Sequence, residues 1–167
     1  KLHIQATTDQ LTGIFNRRVV FDALDEAMEN ANESQDREFT TIMFDIDFFK
    51  QVNDTYGHAG GDAVLISFAK LLESEITSPN IVGRIGGEEF LAILYLNQDQ
   101  AAEFCKKLII KINDNTVNFD GIDIKISSSG GVAFSSETNT SADLTNKADE
   151  RLYEAKKSGR NRFKLID

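Results

Sequence analysis

Proline and cysteine are nearly missing from this chain of 167 residues, with Pro79 and Cys105 the single example of each. That excludes a collagen-like chain and a disulfide-stapled scaffold, and it points to a reducing compartment. No apolar run approaches the roughly 20 residues of a membrane-spanning helix, and no secretory signal opens the sequence. Positive charge is also short: 18 Lys and Arg face 27 Asp and Glu, a formal net charge of −9. The resulting pI near 4.7 argues against a nucleic-acid partner, whose backbone needs dense Lys and Arg. Small phosphate ligands stay open, because a divalent cation held by carboxylates can carry the positive charge.

What is present is material for one core. Hydrophobic residues make up 41% of the chain, 12 of them Phe, which excludes disorder. A domain of this length buries roughly 70% of its unfolded surface. The composition reads as a soluble, cytoplasmic single domain spanning residues 1–167, without direct membrane contact; whether a parent protein is membrane-anchored stays open. The chain starts at Lys1 and reaches Asp9-Gln10-Leu11-Thr12-Gly13 within a dozen residues. A domain cut from a longer polypeptide is therefore expected, with residues 1–8 a remnant of an N-terminal linker or signalling helix.

Val20, Leu24, Met28 and Ala31 recur at helical spacing and predict a helix over 17–32. Residues 39–46 are β-branched and aromatic, a strand buried on both faces. Val64, Phe68, Leu71, Leu72 and Ile76 mark a long helix starting near Asp62. Residues 80–85 and 88–96 read as strands joined by a two-residue Gly86-Gly87 hairpin. Ala101, Cys105, Leu108, Ile109 and Ile112 give another helix, 122–126 and 128–134 two more strands. Leu144, Ala148, Leu152 and Ala155 give a last helix stopping near Gly159. Loops are expected at 33–38 and 135–140. From residue 39 the order strand, helix, strand, strand, helix, strand is the ferredoxin-like split βαβ plan: an α+β, palm-type fold with an antiparallel-rich central sheet flanked by helices.

Four polar features interrupt this pattern. Asp45 and Asp47 end an apolar strand, where a carboxylate is costly unless paired, hydrogen-bonded or bound to a cation. Asp47 fits a helix N-cap; Asp45, two residues deeper, is the better metal candidate. Glu88 and Glu89 follow Gly86-Gly87; as strand neighbours they point to opposite faces, so at most one faces a given site. If they are not simply solvated, Asp45 and Glu88 can meet at one sheet end and hold Mg²⁺. Asn53 and Asp62 carry the donor and acceptor pattern of a guanine edge, although an N-cap is the simpler role for Asp62, a turn for Gly60-Gly61 and a surface position for His58. Lys156 and Arg160 close the last helix, as dipole compensation or as a phosphate clamp.

Taken together these residues resemble the GGDEF family of diguanylate cyclases over nearly the whole chain. The resemblance runs through Asp9-Gln10-Leu11-Thr12-Gly13-Ile14-Phe15-Asn16-Arg17-Arg18, then Phe44-Asp45-Ile46-Asp47-Phe48-Phe49-Lys50 with Asn53-Asp54 and Gly57-His58 to Asp62. It continues in Arg84-Ile85-Gly86-Gly87-Glu88-Glu89-Phe90, the GGEEF variant, and in Ala148-Asp149 with Tyr153-Glu154-Ala155-Lys156-Lys157-Ser158-Gly159-Arg160-Asn161. It implies condensation of two GTP into cyclic di-GMP and two pyrophosphates at a homodimer interface. By resemblance Asp45, the Ile46 carbonyl and Glu88 hold Mg²⁺, two ions per GTP half-site, with Mn²⁺ an alternative. The Phe48 and Phe49 amides with Lys50, Lys156 and Arg160 bind the outer phosphates, Asn53 and Asp62 read guanine with His58 nearby, and Glu88 or Glu89 activates the ribose hydroxyl. The product-inhibition Arg-x-x-Asp is replaced by Thr77-Ser78-Pro79-Asn80, so no such site is expected. Dimerisation is expected to depend on an N-terminal sensor or dimerisation domain outside this chain. The rival readings are a catalytically silent GTP-binding or interaction module of the same fold, and a palm-like nucleotidyltransferase for another nucleotide.

Overall fold

The computed structural model describes residues 6–167; residues 1–5, most of the expected linker remnant, lie outside them. The helices are α1 (Arg17–Glu33), α2 (Phe49–Glu75), α3 (Gln98–Asp114) and α4 (Ser141–Lys157). The strands are β1 (Thr40–Ile46), β2 (Ile81–Arg84), β3 (Glu89–Leu94), β4 (Thr116–Phe119), β5 (Ile122–Lys125), β6 (Ser128–Phe134) and β7 (Phe163–Lys164). Five strands form one sheet in the order β2-β3-β1-β6-β7, antiparallel except for the final β6–β7 pair. This is the palm-like α+β plan the element order predicts.

β1 lies at the centre, and all seven of its residues are buried. Alternation sorts them to two faces. Ile42, Phe44 and Ile46 pack with Phe90, Ala92 and Leu94 under α2 and α3. Met43 packs with Leu91, Ile93 and Ala133 under α1 and α4. Phe44 and Phe90 meet Phe68 of α2 edge-on, with ring centres 6.3 and 5.1 Å apart. Asp45 sits on the α4 side of β1, and the other elements converge around that point.

Three local expectations change. The helix expected to start near Asp62 starts at Phe49 instead, because Phe49 and Val52 already bury an apolar face one turn apart. It breaks at Gly57, whose φ of 77° suits glycine, and continues to Glu75. Gly60 and Gly61 are thus not a turn; they are helical residues at the crossing of the two halves. A Cβ on Gly60 would overlap Tyr56 Cβ, and one on Gly61 would overlap the Asn53 amide oxygen. Second, the hairpin turn has three residues rather than two. Ile85 N–H donates to the Glu89 carbonyl at 2.9 Å, leaving Gly86, Gly87 and Glu88 at the tip. Third, residues 122–125 pair not with the main sheet but with β4, an unforeseen strand, in a separate two-stranded sheet. Both expected loops carry short 3₁₀ turns, Gln35–Arg37 and Ser135–Glu137.

Candidate active site

Three elements bring charge to the end of the sheet. β1 delivers Asp45, whose side chain is almost wholly buried. The last turn of α4 delivers Lys156, whose Nζ donates to Asp45 Oδ2 at 2.6 Å. The hairpin tip delivers Glu88: Ile46 N–H donates to its carbonyl at 3.3 Å, and its carboxyl lies close enough to Asp45 for each to disturb the other's ionisation. Because Glu88 belongs to the turn and not to a strand, strand alternation does not dictate its direction. Glu89, the first residue of β3, stands opposite Asp45 in the β1–β3 register, with Oε1 lying back over Gly86. Both glutamates are therefore close to Asp45.

The cluster is short of positive charge. Burial pushes the Asp45 carboxyl above its ordinary range; Lys156 relieves part of that, and the charge of Asp47 adds to it. Burial, then the neighbouring Asp45 charge, pushes Glu88 up as well. Two hard oxygen donors that resist ionising side by side, beside a strand-end carbonyl, fit a small divalent cation such as Mg²⁺, which takes few protein ligands. Among the described residues no group of three or more His, Cys, Asp or Glu side chains forms a fuller cage.

Phe48 lies beside this cluster in the left-handed region, at φ 56°. It turns the chain so that α2 starts with no side-chain cap, and the first N–H groups of the helix have no partner within it. Such an end attracts anions. Asp47 does not cap it, contrary to the sequence reading. Its carboxylate accepts from the Ser127 and Ser129 hydroxyls, both at 2.6 Å, and from the Asn161 N–H at 3.0 Å. It ties β1 to β6 and to the turn after α4. Arg160, in that turn, lays its guanidinium over the exposed Phe48 ring at 4.6 Å.

The remaining candidates spread along α2. Phe49 contributes its ring to the core. Lys50 is not drawn to the carboxylates; it is exposed and pairs with Asp54 at 3.1 Å. Asn53 is half-buried, with its amide against Gly61 across the helix break. Asp62 follows on the exposed face of the second half, inside the helix and so not an N-cap, and His58 is exposed just after the break.

One arrangement escaped the sequence reading, although its residues fell inside the motifs. Arg84 reaches Asp9 at 3.2 Å and also donates to the Gly86 and Gly87 carbonyls at 3.1 and 2.8 Å. Burial disfavours charge on Asp9, but hydrogen bonds from Thr12 and Arg84 outweigh it and hold the carboxyl below its ordinary range. Arg17 donates to the Ile85 carbonyl at 2.8 Å. The segment before α1 therefore fixes the hairpin that presents Glu88. The spacing of Asp9 and Thr12 signals a local turn; a partner at Arg84 leaves no local signature. Asn80, in the segment where a product-binding motif was not expected, accepts from Tyr95 N–H at 2.8 Å and so holds the end of β3. A groove of about 600 Å³ runs between α2 and residues 124–127; Asp47 and Phe48 border it, but none of Asp45, Glu88, Lys156 or Arg160 does.

Residues 6–162 match the family model described as "Diguanylate cyclase, GGDEF domain". The chain is 36% identical over 163 residues to Diguanylate cyclase A of Treponema denticola, a match covering 95% of this chain and 44% of that protein. It is 37% identical over 165 residues to Diguanylate cyclase DgcS of Shewanella oneidensis, covering 99% of this chain and 54% of that one. The chain thus spans about half the length of these curated relatives. Among solved structures, the GGDEF domain of DgcB from Caulobacter crescentus, in complex with c-di-GMP, superposes with a TM-score of 0.90 at 30% identity, covering 99% of this chain and 98% of that one. The motifs, the palm-like sheet and the family match agree: this chain belongs to the GGDEF family of diguanylate cyclase domains.

Proposed function

We propose that this chain is a catalytically competent diguanylate cyclase domain, which condenses two GTP into cyclic di-GMP and two pyrophosphates. The observation that carries the reading is the meeting of Asp45, Glu88 and Lys156 at one end of β1, beside the uncapped start of α2. Asp45, Glu88 and the Ile46 carbonyl are the residues to hold Mg²⁺, two ions per half-site, with Mn²⁺ as a substitute. Bound there, the metal supplies Lewis-acid polarisation of the α-phosphoryl group and a lower pKa for the attacking hydroxyl. The Phe48 and Phe49 amides, Lys156 and Arg160 grip the outer phosphates, and Lys50 reaches them by leaving Asp54. Asn53 and Asp62 pair with the guanine edge, with His58 beside them.

The 3′-oxygen of one GTP attacks the α-phosphorus of the other as the bond to pyrophosphate breaks, and the hydroxyl proton passes to Glu88 or Glu89. Each chain presents one GTP, so two copies must face each other, brought together by an N-terminal sensor or dimerisation segment of a cytoplasmic or membrane-anchored parent. The net charge of −9 disfavours a nucleic-acid template. A silent module accounts less well for the retention of every carboxylate and cation of the site.

Asp62 sets the base. A carboxylate matches the N1–H and amino donors of guanine and faces the N1 acceptor of adenine unfavourably, which allows about 10⁴-fold rejection at best. With equal GTP and ATP the expected product is cyclic di-GMP alone, and Asp62→Ser is expected to yield a mixed AMP–GMP dinucleotide as well. Mixed product from the unaltered chain would count against the reading.

A further inference from the structure

Lys156 does more in this structure than stand ready for phosphate. Its ammonium contacts Asp45 Oδ2 at 2.6 Å, on a carboxylate that is itself nearly buried. Among the described residues no other Lys or Arg pairs with Asp45 or Glu88. Of the other cations near this end of α4, Lys157 lies over the Tyr153 ring and Arg160 is directed onto the Phe48 ring. Asp45, Glu88 and Lys156 together carry a formal charge of −2 + 1 = −1.

We infer that Lys156 is the resident counter-ion of the metal-binding carboxylates, so that a divalent cation binds tightly only when a triphosphate draws the lysine away from Asp45. The inference rests on the metal and nucleotide reading above. Mg²⁺ sits about 2.0–2.1 Å from its oxygen ligands. A dication on Asp45 at that distance and an ammonium on the same carboxylate repel each other at close range, in a site where burial limits screening. The lysine side chain is flexible and about one-third exposed, so it can swing without unfolding α4. A polyphosphate entering beside the α2 N-terminus offers the ammonium several new oxygens and leaves Asp45 to the metal. Metal and nucleotide then favour each other through one side chain, in addition to their direct contact.

The test uses Mn²⁺ as probe, with free ion counted by electron paramagnetic resonance on the chain without nucleotide. Lys156→Met is expected to bind Mn²⁺ at least tenfold more tightly than the unaltered chain. Adding Glu88→Gln to that variant is expected to abolish the gain. A GTP analogue with a methylene bridge between its α- and β-phosphorus is expected to enhance Mn²⁺ binding less in Lys156→Met than in the unaltered chain. Equal or weaker Mn²⁺ binding by a folded Lys156→Met overturns the inference while leaving the metal and nucleotide reading standing. Failure of the unaltered chain to bind the analogue with Mg²⁺ would instead overturn the reading beneath it. A measurement without substitution covers the case where Lys156→Met does not fold. The Lys156 Cε resonance is expected to shift when Mg²⁺ and the analogue are added together and to stay put with millimolar Mg²⁺ alone; a resonance that ignores the pair also overturns the inference.

Discussion

Gly60 and Gly61 are neighbours at the crossing of the two halves of α2, yet a methyl group on each should have a different consequence. On Gly61 the new carbon overlaps the Asn53 amide oxygen, stands 2.9 Å from its Cγ and 3.3 Å from Phe49 Cζ. The obstructing atoms are the far end of a half-buried side chain, which relieves the clash by changing rotamer. The fold should survive, helped by the better helix propensity of Ala, worth about 1 kcal/mol. What is lost is the position proposed for Asn53 against the base. A net hydrogen bond of roughly 1–2 kcal/mol corresponds to about 5- to 30-fold weaker GTP binding. On Gly60 the obstructing atom is Tyr56 Cβ, fixed to the backbone, and no rotamer moves it. The halves must part, at the roughly 1–3 kcal/mol of an overpacked core. At about 2–4 °C per kcal/mol for a domain of this size, melting should fall by roughly 2–12 °C. Calorimetric titration with the methylene-bridged GTP analogue, beside thermal melts, separates the two. A Gly61→Ala chain that binds the analogue as tightly as the original would refute the placement of Asn53 at the base.

Two other predictions follow from single contacts. Arg151 is buried and pairs with Glu137 at 2.7 Å while donating to the Val132 carbonyl at 2.8 Å. Burial opposes charge on Glu137, but the Arg151 and Phe134 hydrogen bonds outweigh it and lower its pKa. A lowered acid stabilises the fold above its unfolded pKa and loses that contribution as pH falls through the folded value. Glu137→Gln should therefore melt lower at pH 7, with the gap narrowing as pH falls below the ordinary Glu value of 4.5; a gap that stays constant from pH 7 into strong acid contradicts the pairing. Separately, the Thr77-Ser78-Pro79-Asn80 segment offers no guanidinium to grip product. Added cyclic di-GMP should leave initial rates unchanged at concentrations well above that of enzyme, and saturable inhibition that is not competitive with GTP would contradict this.

Where the sequence spoke clearly, one residue pattern had one physical solution. Six successive apolar or β-branched positions from Phe39 to Phe44 leave little choice but a central strand, and Leu144, Ala148 and Leu152 can share only a helix face. The start of α2 was hidden because Phe49 and Val52 make a single apolar turn, with polar and glycine positions beyond it that read as a linker. Gly57 breaks the helix without ending it, and no local rule distinguishes that from a cap. Glu88 was placed in a strand by assuming the shortest hairpin; one more turn residue freed its side chain toward Asp45. Asp47 looked like a cap because its true partners, Ser127, Ser129 and Asn161, lie at least 80 positions away along the chain. Long-range polar pairing of this kind, like Asp9 with Arg84, carries no periodic signature.

The central claim is that Asp45, Glu88 and Lys156 form half of a working cyclase site, completed by a second copy. Its most direct test incubates the chain with GTP and Mg²⁺ across a range of protein concentrations and quantifies cyclic di-GMP by chromatography. Product is expected whose yield per protein rises with concentration, and none from Glu88→Gln. No product at any concentration, even from the chain fused to a parallel dimeric coiled coil and shown to bind GTP, would contradict it.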